Sequence, residues 1–133
     1  MTIFDKNNNK IAFKFSVKDF KEGLTFFSED KDFLQVGSWK YAKGKKLLAH
    51  IHNLAPREIS RTQECIFVIH GALNAFLYDE NRNPIETLHI KAQEGLVLLS
   101  GGHGYEILQD DTVVLEIKNG PYVGAEADRS RIE

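Results

Sequence analysis

Between Leu47 and Ile117 the chain is a succession of seven short apolar segments, each four to six residues long and each closed by turn-forming residues. They are Leu47–His52, Cys65–His70, Leu73–Tyr78, Ile85–Ile90, Leu96–Leu99, Tyr105–Leu108 and Thr112–Ile117. The breaks carry Gly71, the run Asp79 to Pro84, Glu94-Gly95, Gly101-Gly102 and Asp110-Asp111. Segments this short suit strands better than helices, and no clear long helix interrupts them. Residues 92 to 95 are too few for a helical crossover between parallel strands, so hairpins are the natural connections. The expected fold is all-β: an antiparallel sandwich or barrel.

The first 46 residues extend this pattern. Ile11, Phe13, Phe15 and Val17 alternate with Ala12, Lys14, Ser16 and Lys18, the period of a half-buried strand. Phe26, Phe27, Phe33 and Leu34 form a second apolar cluster, Val36 to Tyr41 reads as another short strand, and Lys43 to Lys46 as a basic loop around Gly44. No linker divides the 133 residues, so we expect one domain over 1–133, with N-terminal strands in 1–46 and a barrel core in 47–118.

Charge and composition narrow the function. Seventeen basic and 19 acidic side chains give a net charge of -2 and no broad positive field for a phosphate backbone, so nucleic acid is not an expected partner. No apolar run approaches the roughly 20 residues that span a bilayer. The first ten residues do not read as a secretory signal, and Cys65 is the single cysteine; both point to a cytoplasmic protein.

The chemistry gathers on four residues. His50 and His52 are two apart in an expected strand, so both imidazoles leave by one face. Neutral imidazole ligates zinc, iron, nickel, cobalt or copper. Glu64 immediately precedes the segment Cys65–His70, and alternation puts it with Ile66 and Val68 on one face while Cys65, Phe67 and Ile69 take the other. A carboxylate on that apolar face needs a partner, either a divalent cation or an arginine such as Arg57 or Arg61. His103 follows Gly101-Gly102, where the backbone can turn sharply, and shares a face with Tyr105 and Ile107.

These residues carry a resemblance to the small single-domain cupins, antiparallel jelly-roll barrels in which two short motifs meet around a metal. His50-Ile51-His52, Glu64 and Gly71 resemble the first motif, and His103 within Leu99 to Tyr105 resembles the second. Eleven residues separate His52 from Glu64, so the loop from Asn53 to Gln63 is longer than in the family motif. The second motif is degenerate, without the family's proline and closing asparagine. The resemblance implies that His50, His52, Glu64 and His103 hold a divalent metal ion such as zinc, iron, nickel or manganese. It also implies a homodimer, as in many small cupins.

Around that site, Tyr105, Glu116 and Lys118 are candidate catalytic groups, and Arg57, Arg61 and Tyr122 candidate substrate contacts. Val114, Glu116 and Lys118 share one face of their segment, and the charged pair is expected either to face solvent or to lie near the open end of the barrel as a proton-transfer or anion-binding pair. The expected ligand is a small polar or anionic molecule such as a sugar or nucleotide sugar. Two alternatives stand beside a metal-dependent activity. One is a non-catalytic binding or regulatory cupin. The other is a metal-independent epimerase or isomerase with His50 or His52 as base and Tyr105 or Tyr122 as acid.

Overall fold

The computed structural model describes residues 1–132. It is an all-β chain of ten strands: β1 (Thr2–Phe4), β2 (Lys10–Ser16), β3 (Gly23–Phe26), β4 (Gly37–Lys40), β5 (Glu64–His70), β6 (Ala72–Tyr78), β7 (Pro84–Lys91), β8 (Glu94–Leu98), β9 (Gly102–Ile107) and β10 (Val113–Lys118). A single turn of helix, α1 (Ala125–Asp128), follows. Among the described residues no helix is long and apolar enough to cross a membrane.

Every strand pairing is antiparallel. A five-stranded sheet runs β1-β2-β8-β5-β10, a three-stranded sheet runs β7-β6-β9, and β3 and β4 form a separate hairpin. The two larger sheets pack face to face through Ile66, Val68, Leu96 and Leu98 on one side and Leu73, Ala75, Leu77, Leu88 and Ile90 on the other. The opposite face of the five-stranded sheet is covered as well. There Phe13, Cys65, Val97 and Leu99 pack beneath Phe27, Leu34 and Val36, and Phe15 stacks on Phe67 with ring centroids 6.2 Å apart.

The alternation expected along β5 therefore holds, with Ile66 and Val68 in one core and Cys65 in the other. Burial and the Glu64 charge push the Cys65 thiol up to about 11, so at neutral pH it is a packing group and not a nucleophile. Gln63, which enters β5, is also buried. Its Oε1 accepts the backbone N–H groups of Phe33 and Leu34 at 2.8 and 3.0 Å, and its Nε2 donates to the Leu99 carbonyl at 3.3 Å. Asn119 Oδ1 accepts the Gln63 N–H at 2.7 Å. One side chain thus ties the covering segment to the main sheet.

Three expectations are corrected. The segment Leu47–His52 is not a strand: the chain from Ala42 to Gln63 has no regular secondary structure, and every residue from Trp39 to Thr62 is exposed. Strand propensity alone does not make a strand, because its N–H and C=O groups need a neighbouring edge. The two sheets do not close into a barrel; β1 and β10 are the edges of one, and β7 and β9 the edges of the other. Nor is β2 half-buried. Ala12 is fully buried on the face expected to meet solvent, and Lys14 on that face donates to the His89 carbonyl at 3.0 Å and pairs with Glu94 at 3.3 Å.

Glu94 is 7% exposed. Burial pushes its carboxyl up, but the Lys91 N–H and the Lys14 ammonium hold it, on balance, below the ordinary value of 4.5. A carboxyl lowered in the fold stabilises when ionised, and that contribution fades as pH falls below the ordinary value and through the folded one. Replacing Lys14 with Met leaves a buried acceptor short of a donor. It is expected to cost roughly 1–3 kcal/mol at pH 7, with the deficit shrinking below about pH 4.5, as read by urea denaturation across that range.

Candidate functional site

The site forms where the sandwich is open, between the facing edges β9 and β10. In β5, Glu64 points to the inter-sheet side with Ile66 and Val68. The register pairs Lys118 with Glu64 and Glu116 with Ile66, so both charged residues of β10 share the face of Glu64, although both stay exposed at this open edge. The pair thus sits on the face of the site and is also open to water. The face turned outward is the apolar one, with Val113, Leu115 and Ile117 each about half exposed. Pairing with β5 decided the orientation, since antiparallel partners opposite one another share a face.

On the opposing sheet, β9 pairs with β6 so that His103 lies opposite Leu77, Tyr105 opposite Ala75 and Ile107 opposite Leu73. Leu73, Ala75 and Leu77 belong to the core, so His103, Tyr105 and Ile107 point inward too. The turn that delivers them uses the glycines for the expected reason. Gly101 has φ +71 and lies against the backbone oxygen of Tyr78, a position that leaves no room for a Cβ. Glu80 accepts the Gly101 N–H at 2.9 Å and pairs with Arg61.

Glu64 is the centre of the arrangement, only 6% exposed. His103 Nε2 lies 3.0 Å from Glu64 Oε1, and the Tyr105 hydroxyl donates to the same oxygen at 3.3 Å. Burial pushes the Glu64 carboxyl up. The hydrogen bond and charge of His103, then the charge of Lys118 and the Tyr105 hydroxyl, outweigh it and leave the group below its ordinary value. Burial, with the Glu64 charge next, pushes the Tyr105 phenol upward, so it remains a neutral donor. The result is an ionised carboxylate with an imidazole and a phenol on one oxygen and a cation across the strand.

The other sequence-derived candidates divide. His50 and His52 remain together, with ring centroids 4.9 Å apart, but on the exposed segment. Among the described residues no three His, Cys, Asp or Glu side chains gather around one point, so the structure assembles Glu64 with His103 and leaves the histidine pair apart. Arg57 is exposed and bonds only locally, to the Ala55 carbonyl at 3.4 Å. Arg61 pairs with Glu80, not with Glu64, and so braces the Gly101 turn. Tyr122 is exposed, with the Lys118 ammonium 5.7 Å from its ring centroid. Gln63 escaped the sequence reading. Its one signal is alternation, which puts it with Cys65 on the second buried face.

No protein-family model, curated protein or solved structure matches this chain.

Because Gly101 is held at positive φ against a backbone oxygen, Gly101→Ala strains the turn that presents His103. We expect a loss of roughly 1–3 kcal/mol in chemical denaturation, with a shifted His103 imidazole resonance in the folded fraction.

Proposed function

We propose that this chain is a cupin-type binding protein that holds a divalent metal ion and a small polar or anionic molecule at the Glu64–His103 site. The observation that carries the reading is the buried, ionised Glu64 with His103 Nε2 at 3.0 Å. Ligand bonds near 2.1 Å put neighbouring donors of one ion about 3 Å apart, so this carboxylate and imidazole have the spacing of adjacent ligands. His50 and His52, which lie apart on the exposed segment, would complete a mixed N/O set suited to zinc, iron, nickel or manganese only where that segment comes to the site. The free edges β9 and β10 are in keeping with a jelly-roll reading, since a further strand there would bridge the two sheets on that side. The single, buried cysteine fits a reducing, cytoplasmic setting.

A bound ion would polarise a carbonyl or hydroxyl oxygen, or lower the pKa of water. The chain's own groups act around it. Lys118, across the strand from Glu64, attracts the anionic part of the ligand. The neutral Tyr105 phenol donates a hydrogen bond to a ligand oxygen, and Glu116 stands near it on the inner face as a proton acceptor. Arg57, on the exposed segment, and Tyr122, beside Lys118, contribute at the rim. A sugar or nucleotide sugar has the hydroxyls and negative charge this combination recognises.

A metal-independent acid–base reading has one observation in its favour. Glu64, His103 and Tyr105 already form a hydrogen-bonded array, with an imidazole able to accept a proton and a phenol able to donate one. In that reading His103 takes the place assigned from sequence to His50 or His52.

Elemental analysis of untagged protein decides between the two. The metal reading expects close to one ion per chain, and at least a hundredfold weaker zinc binding in His103→Ala and in Glu64→Ala, beyond the roughly 10–100-fold that follows when a supporting partner is lost. Protein without metal that stays empty when titrated with zinc chloride overturns it. Lys118→Ala is expected to weaken binding of sugar phosphates about tenfold by calorimetry and to leave neutral sugars unaffected.

A further inference from the structure

Charge is spread unevenly along this chain. Between Asp32 and Glu58 lie Lys40, Lys43, Lys45, Lys46 and Arg57 and no acidic residue, whereas the rest of the chain carries twelve basic and 19 acidic side chains. A protein of net charge -2 thus gathers a surplus of five cations in residues 33–57. The same stretch holds Leu48, Ile51 and Leu54, which at 85, 89 and 103% are the most exposed large apolar side chains among the described residues.

Two pieces of structure present this combination. The first is the hairpin of β3 and β4, which buries Ser38 and turns its other face outward. Trp39 lies opposite Leu24, and Phe26 is two residues along from Leu24, so the three share the outer face. Each is more than half exposed. Tyr41 comes two residues after Trp39, and the Lys45 ammonium stands 5.7 Å from its ring centroid.

The second piece is the segment that follows. Among the described residues, no backbone group from Lys46 to Ser60 is paired with another backbone group. Leu47, Leu48, Ile51, Leu54 and Ala55 are nevertheless spaced as on one side of a helix. At 3.6 residues per turn they fill an arc of about 120°. Lys45, Lys46 and Asn53 fall on the opposite side, and Pro56 ends the run. A helix over residues 45–55 is shorter than the about 12–15 residues that hold a helix in water alone, so it needs an apolar surface on which to form.

We infer that residues 39–55, together with the outer face of the β3–β4 hairpin, bind an anionic lipid surface, on which residues 45–55 become an amphipathic helix. The lysines meet the headgroups, the apolar arc enters the acyl boundary, and Trp39 and Tyr41 sit where an aromatic ring can be half wet. Backbone groups carried into that boundary need partners, and a helix supplies them locally. A nucleic-acid strand answers the charge but gives four aliphatic side chains nothing to bury against, since base stacking uses aromatic rings. An acidic protein groove would take the helix and leave the hairpin face bare, whereas a bilayer surface takes both. This is attachment and not crossing. It uses neither Glu64 nor His103 and is independent of any metal.

Trp39 is the sole tryptophan, so its fluorescence reports on this face directly. The full chain, in EDTA, is mixed with vesicles of phosphatidylcholine alone or of equal parts phosphatidylcholine and phosphatidylserine. Binding is expected only to the mixed vesicles, weakening as salt is raised. A blue shift of Trp39 emission, quenching by acyl-brominated lipid and a gain of helical circular dichroism should accompany it. Lys45→Ala/Lys46→Ala should weaken binding about thirtyfold, each lysine contributing about fivefold. Ile51→Glu/Leu54→Glu should abolish it without moving the unfolding midpoint, since both side chains stand in water in the free chain. No binding to the mixed vesicles overturns the inference, and so does binding that Ile51→Glu/Leu54→Glu retains. Tighter binding to a single-stranded oligonucleotide or to polyglutamate than to the mixed vesicles assigns the patch to a polyanion and overturns the lipid. Amides of residues 46–55 protected from hydrogen exchange before lipid is added would mean that the chain's own sheet edges already hold the segment, which overturns it as well. Binding without a Trp39 shift overturns the part given to the hairpin.

Discussion

An ionised carboxylate buried between two sheets is the constraint around which the open side of this molecule is arranged. Taken alone, Glu64 at 6% exposure carries a desolvation cost that drives a carboxyl toward its neutral form. Its environment reverses the outcome with His103, Lys118 and Tyr105. These come from two strands of different sheets, β9 and β10, so the charge can be held only when the sheets face each other in the observed register. Packing and electrostatics therefore select the same arrangement.

The strand that carries Glu64 lies inside its sheet, between β8 and β10. Both faces of β5 are covered at its N-terminal end, by the second large sheet and by the segment that includes Phe27, Leu34 and Val36. Gln63 secures that second cover through three hydrogen bonds from one amide. A buried amide satisfied in this way has little freedom, and it stands next to the residue whose position matters most. By contrast, β9 and β10 are held on one side only, and the groups they present remain partly open to solvent. The enclosed strand supplies the fixed charge, and the free edges leave room for a ligand or a further strand.

Much of the architecture was legible because it rests on local chemistry. The strands from β5 to β10 follow from apolar runs closed by glycine, asparagine, aspartate and proline, and the two faces of β5 follow from a period of two. The sharp turn before His103 follows from Gly101, which alone tolerates both positive φ and close approach to the Tyr78 carbonyl. The grouping of His103 with Tyr105 and of Glu64 with Ile66 and Val68 needed nothing beyond alternation. Where the reading failed, the missing fact was always a neighbour. Leu47–His52 has the composition of a strand but pairs with none of the free sheet edges of its own chain. Lys14 has the look of a solvent residue but meets Glu94.

The sequence by itself determined that this chain is an antiparallel β protein, which of its residues alternate together, and where its chain must turn, because each depends on residues close in sequence. Only the tertiary structure decided that Lys118 and Glu116 share the face of Glu64, that Arg61 serves Glu80, and that His50 and His52 stand away from Glu64 and His103. Those outcomes depend on which strands become neighbours and in what register. A shift of one residue reverses every side chain on a strand, and no local pattern encodes the partner that prevents it.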